Sequence, residues 1–293
     1  VKTDTAALAA DTRSTHGEGP CWDAALQRLL WVDIMGCRVN SLDPITGKVT
    51  SHQFQEPVCV VVPEGNGRHL IAFAKRLASV DLAMGDIREI VQVEPDKPDN
   101  RCNDGKPDPA GRFWIGTMSA GGATPGAGSL YRLDGGGRLT RVLDGLTISN
   151  GMGWTADART MFFIDSPTRE VWAFDFDPAD SSVTNRRTVI RVPDGLGVPD
   201  GMCVAPDDTI WVAHWGAGCV GHWDPRTGVL LGRIETSCPH TSSCCLTPDG
   251  SLFITTSRLG LDEASLAAAP LSGSLLFCSP DHRCAQPASS SAG

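Results

Sequence analysis

Asp200-Gly-Met-Cys-Val-Ala-Pro206, Thr209-Ile-Trp-Val-Ala213 and Val220-Gly-His-Trp-Asp-Pro225 follow one another in a single short stretch. A polar pair opens an apolar run, a Pro/Asp turn follows, and then come an aromatic-rich strand and an alternating strand that ends on Asp-Pro. Alternation with β-branched and aromatic residues between Asp-Gly and Asp-Pro turns is the pattern of antiparallel strands. The same succession recurs along the chain. Gly19-Pro-Cys-Trp-Asp23 leads to Leu29-Leu-Trp-Val-Asp33, and Asn150-Gly-Met-Gly-Trp154 leads to Met161-Phe-Phe-Ile-Asp165. Asn103 to Gly111 leads to Arg112-Phe-Trp-Ile-Gly-Thr117, and Cys244 to Gly250 leads to Ser251-Leu-Phe-Ile-Thr-Thr256. A weaker copy runs from Val58 to Phe73. The closing Asp-Pro strand also repeats, at Arg38–Pro44 and Val171–Pro178.

The units open near positions 18, 58, 104, 150, 200 and 243, a spacing of about 40–50 residues that is typical of propeller blades. Four-stranded units of this kind bury their faces only by stacking radially around a channel. A β-sandwich has no reason to repeat at this period. The sequence therefore predicts an all-β, six-bladed β-propeller with four-stranded antiparallel blades. It forms one domain over 1–293, with a short flexible N-terminus at 1–12 and a C-terminal tail at 286–293. The Trp-Asp pairs at 22–23 and 223–224 begin turns and lack the Gly-His partner of a WD40 repeat. Asp262 to Ala269 is the one stretch that reads as a helical turn or two.

Composition excludes several functions. A formal charge of -9 argues against a nucleic-acid or anionic-membrane partner, and no segment approaches the ~20 apolar residues of a membrane span. The eleven cysteines are odd in number, lack C-x-x-C spacing and mostly sit in apolar runs, which reads as reduced buried thiols. With Val1-Lys-Thr-Asp-Thr5 lacking the apolar stretch of a signal peptide, a cytoplasmic location is expected. The expected partner is a small molecule, and the expected state is a monomer or weak dimer.

Polar residues open the innermost strand of several units: Glu18, then Arg101, Asn103 and Asp104, then Asn150, then Asp200. Three units share an Asn/Asp-Gly-Met/Lys pattern, in Asp104-Gly-Lys, Asn150-Gly-Met and Asp200-Gly-Met. Such pairs are common turn formers, but a turn residue has no reason to recur at one edge of the innermost strand. Equivalent positions in a propeller meet at one end of the channel. Crowded buried carboxylates repel one another, and a divalent cation resolves the conflict. Carboxylate and amide oxygens suit Ca²⁺, Mg²⁺ or Mn²⁺; Zn²⁺ stays possible without a His or Cys to favour it. His16, His214 and His240 are weaker candidates for the channel mouth, and Lys106 is expected to pair with a carboxylate. No Gly-x-Ser-x-Gly elbow, His-Glu-x-x-His helix or phosphate loop is present.

At these residues the chain resembles the family of regucalcin, gluconolactonases and luciferin-regenerating enzyme. The likeness runs from about residue 16 to 278 and is carried by Gly17-Glu-Gly-Pro20, Asn100–Arg112, Gly116-Thr-Met118, Ile148-Ser-Asn-Gly151, Pro199-Asp-Gly-Met-Cys203 and Thr241-Ser-Ser-Cys-Cys245. The resemblance implies one catalytic divalent ion held by Glu18, Asn150 and Asp200, with Asp200 also the general base. It implies that Arg101 and Asn103 hydrogen-bond sugar hydroxyls, and that the reaction is hydrolysis of aldonolactones such as gluconolactone. Slow organophosphate hydrolysis at the same ion, or a non-catalytic calcium-binding propeller, are the alternatives. Two stretches depart from the family. Ser119–Gly128 has no carboxylate where mammalian members carry an acidic lid, which bears on sugar selectivity. Leu246-Thr-Pro-Asp-Gly250 replaces an expected Phe-Gly-Gly.

Overall fold

A computed structural model of the protein describes residues 2–279. Six sheets form, and each innermost strand is taken from one of the repeat units: Gly17–Asp23, Val58–Gly65, Asn100–Pro107, Ser149–Trp154, Val198–Val204 and Thr241–Leu246. From the innermost strand each of the first four blades runs outward in chain order through antiparallel neighbours. The chain is a six-bladed β-propeller with four-stranded antiparallel blades.

Side-chain chemistry explains the repeat. The aromatic-rich second strands, such as Arg28–Asp33 and Phe113–Ser119, are buried on both faces, and Trp31, Phe73, Trp114 and Phe163 fill the space between blades. Each large side chain removed from water in this way contributes roughly 1.5–3 kcal/mol. The aspartates of the Asp-Pro turns act through their carboxylates. Asp43 Oδ1 accepts the N–H groups of Ile45 and Thr46, and Asp177 Oδ1 accepts that of Ala179. Asp23 does the same for Ala25 and Leu26, so the Trp22-Asp23 pair does open a turn. The single α-helix among the described residues, Glu263–Ala268, is capped by Asp262, whose side chain accepts the Ser265 N–H.

Residues 1–12, expected as a flexible terminus, carry two strands. Ala7–Ala10 pairs with Leu275–Cys278 as the outer strand of the sixth blade, whose other three strands lie near the C-terminal end. Lys2–Thr5 adds parallel to Val229–Glu235 as a fifth strand of the fifth blade. The physical reason is closure: the sixth repeat supplies three strands, and a segment from the other end of the chain completes its sheet. These segments are too short and too weakly alternating to announce themselves. The expected tail at 286–293 lies outside the described residues.

Nine of the ten cysteines among the described residues, all but Cys278, are free thiols, most of them buried. Cys203 and Cys244 face each other between the fifth and sixth innermost strands at 3.8 Å. No helix among the described residues is long and apolar enough to cross a membrane.

Trp114 is fully buried, contacts Trp154 and Phe176, and donates its indole N–H to Asp108 at 3.2 Å. Trp114→Ala is expected to lower unfolding stability by about 3–5 kcal/mol. Leu26→Ala, at a half-exposed position, is expected to stay within about 0.5 kcal/mol. Chemical denaturation of the two variants checks the contrast.

Candidate functional site

Every innermost strand slips register by one residue near its start. The slip lies between Glu18 and Cys21, Val58 and Val60, Cys102 and Gly105, Ser149 and Met152, Pro199 and Met202, and Thr241 and Ser243. A bulge of this kind leaves a residue unpaired and re-aims its side chain. The residues that follow Gly17, Val58, Cys102, Ser149, Pro199 and Thr241, each paired with the second strand of its blade, stand in equivalent positions: Glu18, Cys59, Asn103, Asn150, Asp200 and Ser242. Four of the six line one cavity of about 220 Å³. The other two are diverted: Ser242 Oγ donates to the Gly17 carbonyl at 2.6 Å, and Cys59 is buried beside Arg101.

This register corrects one equivalence drawn from the sequence. Asn103, and not Asp104, matches Asn150 and Asp200; Asp104 occupies the place of Gly151 and Gly201. It also changes what Asn-Gly and Asp-Gly mean here. Both pairs sit inside strands, and neither glycine has a positive φ. A Cβ on Gly151 would lie 2.6 Å from the Asp200 carbonyl oxygen, and one on Gly201 would lie 2.1 Å from Ser243 Oγ. The glycines are required because neighbouring innermost strands nearly touch.

Strand alternation adds a second ring to the site. The residue two before each bulge position points the same way, so His16, Arg101, Ile148 and Val198 also line the cavity. Two aspartates at the ends of second strands hold the loops that lead into these positions. Asp33 accepts N–H groups from Thr15 and His16, and Asp165 accepts them from Thr147 and Ile148. Burial alone would raise the Asp33 carboxyl, but the His16 N–H, the Arg38 guanidinium and the N–H groups of Gly36 and Thr15 bring it below its ordinary value.

Within the cavity the polar side chains are interlinked. Arg101 Nη1 donates to Asn103 Oδ1 at 2.8 Å, Asn103 Nδ2 donates to Asn150 Oδ1 at 3.3 Å, and Asn150 Nδ2 donates to Ser166 Oγ at 2.9 Å. Asn150 also hydrogen-bonds the Asp200 carboxylate. The Gly19 N–H donates to Glu18 Oε2 at 2.9 Å. Glu18 and Asp200 are both held well above their ordinary values: burial comes first for each, then the charges of Asp200 and Asp104 on Glu18, and that of Asp104 on Asp200. Burial raises Asp104 too, and the Lys106 ammonium opposes the rise. Lys106 does not close an ion pair. Its Nζ donates to the Met202 carbonyl at 2.8 Å, tying the third blade to the fifth.

The three histidines divide. His16 lines the cavity, His240 stacks on the cavity residue Trp215 at 4.1 Å, and His214 is fully buried, accepting the Trp223 indole N–H at 3.3 Å. Sequence reasoning missed the apolar members of the wall, Met118, Ile148, Val198, Trp215 and Leu259, together with Ser166. A signal for some of them was present: Ile148 and Val198 stand two before Asn150 and Asp200, as His16 stands two before Glu18.

The donor chemistry fits a hard divalent ion. Two buried carboxylates, both held above their ordinary values, and an amide share one small cavity, and Arg101 is the cation that opposes them. Among the described residues no three His, Cys, Asp or Glu side chains gather as a cation-holding group, so an ion in this cavity would need amide or water oxygens beside the two carboxylates.

The SMP-30/Gluconolactonase/LRE-like region matches residues 16–258 of this sequence. The chain belongs to that family. Regucalcin of Danio rerio is 37% identical over 88% of each chain. Among solved structures, a calcium-binding regucalcin of Agrobacterium tumefaciens superposes with a TM-score of 0.89 at 28% identity, covering 94% of each chain. A gluconolactonase of Xanthomonas campestris superposes with a TM-score of 0.74 at 26% identity, covering 92% of this chain and 87% of the other. The family membership and the propeller both agree with the sequence reading.

Raised carboxyls have a measurable consequence. A carboxyl with a folded-state pKa above its unfolded value of about 4 contributes stability at low pH that is lost as pH climbs towards the folded value. Chelator-treated protein is therefore expected to melt at a lower temperature at pH 8 than at pH 5. Added Ca²⁺ or Mn²⁺ is expected to raise the melting temperature more at pH 8, because protons compete for the same oxygens. Thermal melts at the two pH values, with and without the cation, check the sign.

Proposed function

We propose that the protein is a metal-dependent lactonase that opens sugar lactones of the gluconolactone type to their hydroxy acids. The observation that carries this reading is the convergence of Glu18, Asn103, Asn150 and Asp200, from four blades, on one cavity. Membership of a gluconolactonase-like family and the likeness to the Xanthomonas gluconolactonase support it. A divalent ion held by Glu18, Asn150 and Asp200 would polarise the lactone carbonyl and offset the two buried negative charges. Oxygen-only donors favour Ca²⁺, Mg²⁺ or Mn²⁺ over Zn²⁺.

The chain's own residues do the rest. The Asp200 carboxylate takes a proton from a water molecule as the water oxygen bonds to the carbonyl carbon. When the ring C–O bond breaks, the same carboxyl returns the proton to the departing ring oxygen, so no covalent enzyme intermediate is needed. Arg101 holds a substrate hydroxyl with directed N–H groups, assisted by Asn103, and fixes the ring relative to Asp200. Burial keeps bulk water from screening these contacts. The free thiols of the described residues suit a reducing, cytoplasmic setting.

The regucalcin from Agrobacterium is described as calcium-binding, which favours one second reading: a propeller that binds the ion without turnover. Steady-state assays on glucono-δ-lactone with Ca²⁺, Mg²⁺, Mn²⁺ or Zn²⁺ separate the two. Asp200→Asn is expected to lower kcat by about 10²–10⁴-fold. Because it removes one of two repelling carboxylates, it is expected to leave the melting temperature of the metal-free protein equal or higher. Arg101→Ala is expected to raise KM more than it lowers kcat. Near-normal turnover in Asp200→Asn would rule out the assigned base.

A further inference from the structure

Cys203 and Cys244 stand on the innermost strands of the fifth and sixth blades, with their sulfurs 3.8 Å apart. Neither lines the cavity of Glu18 and Asp200. Cys203 follows Asp200 by three residues, and Cys244 follows Ser242 by two. Gly201 lets the two strands approach this closely, because a Cβ there would meet Ser243 Oγ at 2.1 Å. The packing of the ring therefore keeps two free thiols within reach of each other.

The two sulfurs are not equivalent. Cys244 Sγ lies 3.4 Å from the Trp211 carbonyl oxygen, which only accepts, so Cys244 holds its proton. Cys203 is surrounded by donors: the Cys244 thiol and the Leu246 N–H hydrogen-bond its sulfur, and the Lys106 ammonium is close by. The Cys244 hydrogen bond is the largest of the effects that bring the Cys203 thiol below its ordinary value, with burial opposing it. Burial pushes Cys244 well above its own. Cys203 is also the more open of the two, at 7% exposure against 1%. A cavity of about 780 Å³ is lined by Val204, Trp211 and Leu246, the residues that flank the pair. A donor-ringed sulfur beside a protonated thiol is the arrangement of an attacking and a resolving cysteine.

We propose that Cys203 and Cys244 form an oxidation site that takes a hydroperoxide and closes to a disulfide between the fifth and sixth blades. The Cys203 thiolate bonds to one peroxide oxygen, the O–O bond breaks, and hydroxide leaves to take up the Cys203 proton as water. The sulfur is now a sulfenic acid. The Cys244 sulfur bonds to it, the S–O bond breaks, and the oxygen departs as water with the Cys244 proton. Two thiols and one hydrogen peroxide thus give one disulfide and two waters, and two electrons pass from sulfur to the peroxide. The cross-link closes a loop of about 40 residues, one blade of the ring. It fastens the strand of Asp200 to the blade that Ala7–Ala10 completes. Reducing thiols reopen it, as suits a transient bridge in a reducing compartment. The site is independent of the lactonase reading.

The test treats the reduced full chain with hydrogen peroxide, blocks the remaining thiols by alkylation and maps its peptides by mass spectrometry. Peroxide is expected to remove about 2 Da from the intact chain, the two hydrogens of a disulfide, and to join the peptides of Cys203 and Cys244. Cys245→Ser is expected to keep the bridge, and Cys203→Ser and Cys244→Ser to lose it. The oxidised protein is expected to melt about 5 °C or more above the reduced protein, and dithiothreitol to reverse both changes. Mapping of the unsubstituted chain decides the pairing even if a serine variant fails to fold. A bridge between other cysteines, a Cys203 driven to sulfinic acid without a bridge, or an unchanged mass would overturn the proposal. So would an oxidised form that melts no higher than the reduced one.

Discussion

At the centre of the ring the innermost strands lie so close that a single Cβ in the wrong place has no room. Gly151 faces the Asp200 carbonyl and Gly201 faces Ser243 across neighbouring innermost strands, while Gly17 meets the Thr256 carbonyl and Gly116 meets Ser149 where an innermost strand abuts a neighbouring blade's second strand. Glycine beside the bulge, and a polar side chain on it, is the arrangement that this crowding permits. In four of the blades the side chain at this position turns into the cavity and places an oxygen- or nitrogen-bearing group there. Fold and chemistry thus share a cause, since the packing that brings the blades together also brings Glu18 and Asp200 together.

That proximity carries an energetic conflict. Burial raises the proton affinity of both carboxylates, the Asp200 and Asp104 charges raise that of Glu18 further, and the Asp104 charge does the same for Asp200. Functional sites commonly hold such tension in place with the surrounding scaffold. Here Asp33 and Asp165 do part of that holding, by clasping the backbone ahead of Glu18 and Asn150. The closure of the sixth blade by Ala7–Ala10 does another part, because opening the ring would separate the donors.

Most of the architecture was legible because each blade repeats the same alternation, and a repeat averages out local ambiguity. The amino-terminal strands were not legible, since Lys2–Thr5 and Ala7–Ala10 are strands only through their partners at the far end of the chain. Among the site residues, Glu18, Arg101, Asn103, Asn150 and Asp200 were visible as polar intrusions into apolar runs, and the cavity contains all five. The Asp104 pattern misled because composition alone cannot show which residue of Asn103-Asp104-Gly105 falls on the bulge; hydrogen-bond register decides that. Trp215, Met118 and Leu259 were invisible for another reason. Apolar residues at or just past strand ends look like core until the channel mouth is known to leave them facing the cavity.

The central claim is that donors from separate blades meet on one cation. Anomalous diffraction from crystals soaked in Mn²⁺ tests it most directly. The result expected is one strong peak within coordination distance of Glu18, Asn150 and Asp200, absent in crystals of Asp200→Asn soaked the same way. A peak elsewhere, or none at this cavity in the unsubstituted protein, would contradict it.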